Sequence, residues 1–286
     1  MVSLQPKHQQ KYCAAVGFCG QNTTNIDANM TFSAGSIAGH HMMHEMDVVT
    51  KVAGKLLEIQ RSQYFDRASV LRRPLKLSQA YCLLWQNQET GDVEGRQGSS
   101  RKLGGCFFAV LVDLMALGKI SLVSEHKNSL AIQVVDTERT GTYLDGIVFE
   151  EMVKFQSKHP TKQKEVSEYI LEAVKRDNVD KNCATLTLDS LVDIDILDKE
   201  QKMLGFTKKY PTLKFEPENS LKHEISEILL NFAAPDSYMR CLLTILRTSD
   251  KLYLTSDPLL SKYFSKSDYE KKVKERVDVI SNSWSY

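Results

Sequence analysis

One nearly uninterrupted apolar stretch, residues 106–117, constrains the fold of this chain more than any other feature. Together with Leu103 it predicts a strongly apolar helix over residues 103–117, interrupted only by Asp113. Gly118 follows and predicts the end of that helix, because glycine readily adopts the left-handed conformation of a C-terminal cap. A stretch of 12 residues is too short to cross a bilayer, and no longer one occurs. A membrane role would therefore be peripheral.

Composition and charge exclude several classes of protein. Of the 286 residues, 42% are apolar, so the chain can bury a sizeable core without disulfides or metals. Its 37 basic and 36 acidic residues give a net charge of +1, which argues against a nucleic-acid-binding protein held by bulk positive charge. The six cysteines are scattered without a Cys-x-x-Cys pair, and residues 1–10 lack the apolar core of a signal peptide. We therefore expect free thiols in a reducing compartment.

Residues 1–70 differ in composition from the rest of the chain. The first 46 residues are rich in Asn, Gln, Ser, Thr and Gly and predict a flexible leader. Residues 47–70 carry a modest helical period, which predicts a short amphipathic helix that docks on the folded body. We therefore divide the chain into a leader, residues 1–70, and a globular domain, residues 71–281.

Beyond residue 71 the apolar periodicity is predominantly helical. Ser78 lies near the start of the first helix, where its hydroxyl would satisfy free backbone N–H groups. Pairs of short β-type runs predict two hairpins, one of residues 120–123 with 130–135 and one of residues 203–206 with 212–215 around a turn at 208–211. The sequence thus predicts a mainly α fold, a single globular helical domain with a helix-bundle core and one or two β-hairpins. The predicted helices span residues 77–85, 103–117, 142–155, 164–176, 185–193, 221–233, 238–246 and 262–280.

Several short motifs follow one another in a characteristic order. They are L-K-L-S-Q-A-Y-C-L-L at residues 75–84, T-G at 90–91, D-L-M-A-L-G-K-I at 113–120, T-G-x-x-L-D at 140–145, L-V-D at 191–193, E-Q-K-M-L-G-F at 200–206, P-D at 235–236, R-C-L-L at 240–243 and S-D at 249–250. Each motif is short, but their order over residues 72–280 resembles the Golgi phosphoprotein 3 family. The chain departs from the family pattern at Leu117, where the family has a basic residue.

The resemblance implies a function without catalysis. The family consists of peripheral adaptors on the cytoplasmic face of the trans-Golgi that recognise phosphatidylinositol 4-phosphate, contact the coatomer and retain Golgi glycosyltransferases by their cytoplasmic tails. For this chain the resemblance implies the same lipid and protein partners in vesicle trafficking, and it is compatible with a homo-oligomer. It implies neither a cofactor nor a nucleic-acid partner.

The resemblance also implies a phosphoinositide site near the start of the apolar helix. The segment S-S-R-K-L-G-G at residues 99–105 is similar to the family segment that begins this helix. It matches if the helix holds about four extra residues, which is roughly one helical turn. Arg101 and Lys102 then lie at the site, with Arg96 in the preceding loop and Lys181 at the position of a later family arginine. Basic side chains at a helix start suit a phosphate group.

Several positions depart from the family's lipid site. The loop before the apolar helix has no tryptophan, since Trp85 lies in the preceding helix. The second arginine of the later pair is replaced by Ala184, and a gap-free match puts Phe107 at the position of the separate family arginine of the apolar helix. A lysine at position 181 also lacks the bidentate fork of arginine. Lipid selectivity therefore stays open.

A second candidate element is the predicted hairpin around residue 207. By resemblance, Leu204 and Phe206 enter the membrane or mediate self-association, although the same apolar pair would also suit a protein core. Lys208 and Lys209 follow them closely, and lysines beside apolar residues favour an anionic surface in either case.

Two other functions are consistent with the sequence. The first is a soluble protein-interaction module that kept the fold and lost lipid binding, which is distinguished by whether the basic candidates converge in one pocket. The second is a small metal-dependent hydrolase that uses His40, His41, His44 and Glu45, which share a helical i, i+4 spacing. These residues lack the ordered H-E-x-x-H string, so we predict no metal site and no catalytic residue.

Overall fold

The computed structural model describes residues 49–93, 100–126, 129–175, 182–201, 208–251 and 258–284. The predicted leader, residues 1–46, lies outside these ranges. Helices dominate the described residues, and the strands form one three-stranded and one two-stranded antiparallel sheet. The mainly α fold predicted from the sequence is confirmed. The helices are α1 (49–61), α2 (Arg67–Leu71), α3 (Leu77–Trp85), α4 (Ser100–Ala116), α5 (Glu150–Lys158), α6 (Val166–Lys175), α7 (Cys183–Val192), α8 (Glu216–Leu230), α9 (Ser237–Lys251), α10 (Lys266–Asp268) and α11 (Lys274–Asn282). The strands are β1 (Ile120–His126), β2 (Ser129–Val134), β3 (Lys164–Glu165), β4 (Glu200–Gln201) and β5 (Lys208–Lys209).

Helix α4 runs through the middle of the core. Every residue from 104 to 116 is buried, and the helix contacts α3, α6, α7 and α9. A helix that is apolar on all sides is stable only when it is covered on all sides, so the apolar stretch fixes its central position. The helix ends as predicted, at Gly118 with a φ of +72°. A Cβ atom there would lie 2.2 Å from Nη2 of Arg67, whose Nε donates to the carbonyl of Ala116.

The start of α3 is capped from another helix. Asp113 of α4 accepts hydrogen bonds from the backbone N–H of Leu77 at 2.9 Å and of Ser78 at 3.0 Å. The Ser78 hydroxyl also donates to Asp113 at 2.6 Å, and it accepts from the hydroxyl of Tyr143 at 2.6 Å. The expectation that Ser78 caps its own helix is therefore wrong, because its hydroxyl is used as a donor to the carboxylate that does the capping. Burial raises the pKa of Asp113 to about 6.

The first hairpin is confirmed, and a glutamine closes its free edge. Strands β1 and β2 pair antiparallel, with Ile120 opposite Val134 and Leu122 opposite Ile132. Gln60 of α1 donates to the carbonyl of Leu122 at 2.9 Å and accepts from its N–H at 2.6 Å. This side chain therefore satisfies backbone groups that an edge strand would otherwise leave open.

Helix α1 packs on the rest of the described residues. Its apolar residues Val52, Leu56 and Ile59 are buried within the main core. Lys55 donates to the carbonyl of Ser281 in α11 at 3.0 Å. The division of the chain into leader and domain near residue 71 stays a prediction.

The second hairpin exists, but its strands differ from the predicted ones. Glu200 pairs with Lys209 and Gln201 with Lys208, and a single bridge joins Leu197 to Thr212. The predicted turn at residues 208–211 is therefore partly strand, and the predicted strand 203–206 lies outside the described residues. Tyr210 explains the shift, because its ring is fully buried and its hydroxyl donates to Asp189 at 2.9 Å.

Candidate anion-binding end of the central helix

The start of α4 carries two of the predicted lipid-binding residues. Arg101 and Lys102 lie in the first turn, directly after Ser100. Their side chains fall outside the described part of the structure. The first backbone N–H groups of a helix have no partner within the helix and carry a partial positive charge, so this position favours an anion.

Helices α3 and α4 run antiparallel, and their close approach brings Trp85 level with the start of α4. Along the pair, Cys82 Sγ lies 3.5 Å from Cys106 Sγ. Nearer the start of α4, a Cβ atom on Gly105 would lie only 2.1 Å from the hydroxyl oxygen of Tyr81. One turn further along α3 from Tyr81 lies Trp85, with its ring centroid 6.2 Å from that of Tyr81. Only glycine at position 105 permits this contact.

Lys262 lies against Trp85. Its ammonium nitrogen is 5.2 Å from the centroid of the indole ring, a cation–π contact. The neighbouring Tyr263 donates its hydroxyl to the carbonyl of Leu84, which anchors this segment to the end of α3. Partial burial lowers the pKa of Lys262. Sequence reasoning missed Lys262 and set Trp85 aside, because no local pattern links two residues so far apart in the chain.

The start of α7 lies beside the second turn of α4. Cys183, the first residue of α7, is hydrogen-bonded to Cys106, and Cys106 Sγ lies 3.5 Å from the hydroxyl of Thr187. The side chain of Asn182 caps α7 by accepting from the N–H of Thr185 at 2.8 Å. Lys181, the remaining predicted basic residue of this region, immediately precedes that cap and lies outside the described residues.

Two positions that the resemblance can match to family arginines lack the charge that a phosphate group requires. Phe107 and Ala184 are both buried in the core and carry no charge. Phe107 and Cys183 border a cavity of about 10 Å³, enough for no more than one water, with Glu151 and Glu172 in its wall. Carboxylates repel a phosphate group, so this cavity is unsuited to a lipid headgroup.

The remaining predicted site residues do not form a described cluster. Arg96, Leu204 and Phe206 lie outside the described residues, as do the four residues of the histidine cluster. Lys209 Nζ donates to the carbonyl of Thr90 at 3.0 Å and lies 3.2 Å from Asp92, in the connection that leads from α3 towards α4. Lys209 is thus engaged within the chain.

The described ranges contain no group of three or more His, Cys, Asp and Glu residues arranged to hold a metal ion. Within the same ranges, no helix combines the length and apolar character needed to cross a membrane.

No curated protein matches the chain. The sequence does match the family model for Golgi phosphoprotein 3 (GPP34) over residues 77–284, which includes α3, α4, α7 and the segment that carries Lys262. This range covers well over half of the chain and begins at the first residue of α3. The chain therefore belongs to the Golgi phosphoprotein 3 (GPP34) family.

Proposed function

We propose that this protein is a peripheral Golgi membrane adaptor that binds phosphatidylinositol 4-phosphate at the start of α4. The observation that carries the proposal is the position of Arg101 and Lys102 in the first turn of a buried helix of a GPP34 family member. Lys262 and Trp85 lie at the same end of the α3–α4 pair and extend the basic region.

The physical basis is electrostatic. A phosphoinositide headgroup is a dense anion that interacts favourably with backbone N–H groups at a helix start and with basic side chains. Each Lys or Arg near an anionic membrane surface contributes about 1 kcal/mol to binding. A few such residues are sufficient for reversible membrane attachment when an apolar segment adds to them. We assign that second role to the hairpin around Leu204, Phe206, Lys208 and Lys209.

Family membership supports the partners that we propose. We propose that the protein acts on the cytoplasmic face of the trans-Golgi, contacts the coatomer and the cytoplasmic tails of Golgi glycosyltransferases, and serves their retention in vesicle trafficking. We propose no catalytic activity and no nucleic-acid partner, and we leave a homo-oligomer open to measurement.

A soluble interaction module is the alternative function. It is favoured by Ala184, which stands at the second arginine of the later family pair, and by Phe107, which a gap-free match puts at the arginine of the apolar helix, since both are uncharged and buried. The engagement of Lys209 with Asp92 also favours it. This alternative keeps the fold and the protein partners but not the lipid.

Liposome flotation at physiological salt separates the two functions. The full chain is compared on vesicles that contain phosphatidylinositol 4-phosphate, on phosphatidylserine vesicles of equal charge and on neutral vesicles. We expect selective flotation with the phosphoinositide and its loss when Arg101→Ala is combined with Lys102→Ala. The charge-matched control combines Arg139→Ala with Lys154→Ala, two exposed residues that both contact Glu150.

The other outcomes are equally informative. Flotation on any anionic vesicle would indicate a basic surface without a headgroup site. Absence of flotation would contradict the lipid proposal and leave the soluble interaction module. Equal loss in the control variant would indicate that bulk charge, not the start of α4, attaches the protein.

A further inference from the structure

Two arginines on neighbouring helices lie close together without an acidic partner. Arg240 is in the first turn of α9 and Arg276 is in α11, and both side chains are half-buried. Burial lowers the pKa of Arg240, and the charge of Arg276 lowers it further, so the two guanidinium groups are within electrostatic reach of each other. Within the described residues, neither of them forms an ion pair with a carboxylate.

The acidic residues nearest to this pair in the chain are engaged elsewhere or point away. Asp236, at the start of α9, accepts from Arg73 at 2.5 Å. Asp278 of α11 accepts two hydrogen bonds from Arg247, at 2.8 and 2.5 Å. Glu275 directly precedes the arginine of α11, but successive residues of a helix do not face each other. The charge of the arginine pair is therefore not balanced by these residues.

The pair also keeps unused hydrogen-bond donors. Arg240 Nη1 donates to the hydroxyl of Ser283, whereas Arg276 Nε is buried and has no partner. A guanidinium presents several N–H donors in a planar fork that matches a carboxylate. A buried donor without an acceptor is unfavourable. An acceptor supplied by a partner would therefore form hydrogen bonds that the described residues leave unmade.

An aromatic ring lies against each arginine. The guanidinium carbon of Arg240 is 4.6 Å from the ring centroid of Tyr64 and 5.8 Å from that of Trp284. The guanidinium carbon of Arg276 is 5.3 Å from the ring centroid of Phe232. Cation–π contacts of this kind hold a charge beside apolar surface without neutralising it. We call Tyr64, Phe232, Arg240 and Arg276 the arginine cluster.

Phe232 has a conformation that phenylalanine does not favour. It follows Asn231, the C-cap of α8, with a φ of +60°. Glycine is the usual residue after a C-cap, because other residues are strained at positive φ. The Phe232 ring is 63% exposed, and Val279 beside Arg276 in α11 is 53% exposed. Folding alone would favour glycine at position 232, so the exposed ring points to a contact outside the chain.

The arginine cluster is separate from the proposed lipid site. A Cβ atom on Gly105, near the start of α4, would lie 2.8 Å from Cβ of Ser249, which marks the lipid-site end of α9. Arg240 is at the other end of α9, roughly 13 Å from Ser249 along the helix axis at about 1.5 Å per residue. One compact headgroup therefore does not occupy both sites.

We propose that the arginine cluster binds a short segment of a partner protein in which a glutamate or aspartate lies next to an aliphatic or aromatic side chain. A carboxylate of the segment accepts from both guanidinium groups and offsets the repulsion between them. The apolar side chain packs against Phe232 and Val279. Charge complementarity selects an acidic segment, and the exposed apolar residues distinguish it from a free anion.

Fluorescence anisotropy with the full chain tests the proposal. The probe is a short labelled peptide of alternating leucine and glutamate. One comparison peptide replaces glutamate by lysine, and another replaces leucine by serine. We expect the leucine–glutamate peptide to bind and each comparison peptide to bind at least about ten-fold more weakly, a difference of about 1.4 kcal/mol. Binding should weaken as the salt concentration rises, because salt screens exposed charges.

Variants locate the binding. Arg276→Gln should weaken the leucine–glutamate peptide about ten-fold, and Phe232→Gly about three-fold. Neither variant should lower the unfolding midpoint, because the first removes a donor that is unpaired in the free protein and the second places glycine at a positive φ. Arg240→Gln also removes the hydrogen bond to Ser283, so the decision rests on the other two variants.

The matched controls are Arg139→Gln and Val135→Ser, which change an exposed arginine and an exposed apolar residue away from the cluster. Both should leave peptide binding unchanged. Flotation on phosphatidylinositol 4-phosphate vesicles should also be normal for Arg276→Gln and Phe232→Gly, so failure here is distinguishable from failure of the lipid proposal.

Several results would overturn the proposal. They are the absence of binding, equal binding of the lysine peptide, and unchanged binding by both Arg276→Gln and Phe232→Gly. A lowered unfolding midpoint in Phe232→Gly would assign the ring to the stability of the fold instead of a partner. Loss of flotation on phosphatidylserine vesicles by Arg276→Gln, without peptide binding by the unchanged protein, would assign the cluster to a membrane surface.

Discussion

The two ends of α4 carry opposite charges, one paired within the chain and the other at a helix start. At one end the Asp113 carboxylate is buried and accepts three hydrogen bonds from Leu77 and Ser78. At the other end the first turn carries Arg101 and Lys102, with Lys262 on the nearby Trp85 ring. One charge is inside the protein and holds two helices in register. Arg101 and Lys102 lie at a helix start, where an external anion is favoured.

The comparison teaches how one buried helix can support both folding and binding. The polar groups at the Asp113 end are paired within the chain, so changes there should act on stability. The Ser100 end is positioned by tight packing of Tyr81 against Gly105. Changes there should act on stability or on binding, depending on whether they disturb the packing or the charge.

The largest effect is expected from Asp113→Ala. This change leaves the N–H groups of Leu77 and Ser78 without their acceptor in a buried environment. At 1–3 kcal/mol for each buried group, the free energy of unfolding should fall by about 4 kcal/mol. Urea denaturation measures it, with the exposed residue change Glu270→Ala as a control that should have almost no effect. A loss similar to that of the control would contradict the capping role.

The pH dependence of stability should test the burial of the Asp113 carboxylate. Burial raises the pKa of Asp113 to about 6 from its ordinary value of 3.8, so the folded state binds this proton more tightly than the unfolded state. The resulting stabilisation is fully present below the unfolded pKa and is lost as the pH rises through about 6. The total amounts to about 3 kcal/mol, at 1.36 kcal/mol per pKa unit.

Comparison with Asp113→Asn isolates this contribution. The unfolding free energy of the protein minus that of the variant should decrease as the pH rises from 4 to 8. Other titrating groups cancel in the difference, because both proteins contain them. A flat difference would mean that the hydrogen bonds from Ser78 and Leu77 offset the cost of burying the charge.

Much of the fold was predictable because its signals are local. The apolar stretch over residues 106–117, the cap at Gly118 and the hairpin that follows depend on residues close together in the chain. The capping of α3 by Asp113 was not predictable, since an isolated aspartate in an apolar helix gives no indication of its partner. The second hairpin was placed wrongly because Tyr210, which sets the register, is held by the distant Asp189.

The candidate site was predictable only in part. Arg101 and Lys102 were predicted from family motifs next to a helix start, which is a local signal, and their role in lipid binding stays a prediction. Lys262 was missed because its relation to Trp85 exists only after the end of the chain folds back onto α3.

A smaller effect on stability is expected near the start of α4, where Gly105 packs against Tyr81. In Gly105→Ala the new Cβ would lie 2.1 Å from the Tyr81 hydroxyl oxygen and 2.8 Å from Cβ of Ser249. Overpacking of this kind costs about 2 kcal/mol. The matched control is Gly54→Ala in α1, where nothing lies within 4 Å of the new atom. That control should be stabilising by about 0.5–1 kcal/mol, because alanine favours a helix. Equal midpoints for the two variants in thermal unfolding would contradict the tight α3–α4 contact.

The smallest effect is expected from Lys262→Ala. This variant tests whether the proposed lipid site extends beyond the start of α4. If this cation contributes as a single basic residue near an anionic membrane, its loss costs about 1 kcal/mol, or about five-fold in vesicle affinity. Lys262→Arg should restore binding, because arginine keeps both the charge and the contact with the Trp85 ring. Vesicle flotation with phosphatidylinositol 4-phosphate measures both variants, and Lys154→Ala, which removes a largely exposed lysine, is the control. If Lys262→Ala binds as well as the control while the Arg101 and Lys102 double variant does not bind, the lipid site is confined to the start of α4. The contact between Lys262 and Trp85 then serves only to hold the end of α3.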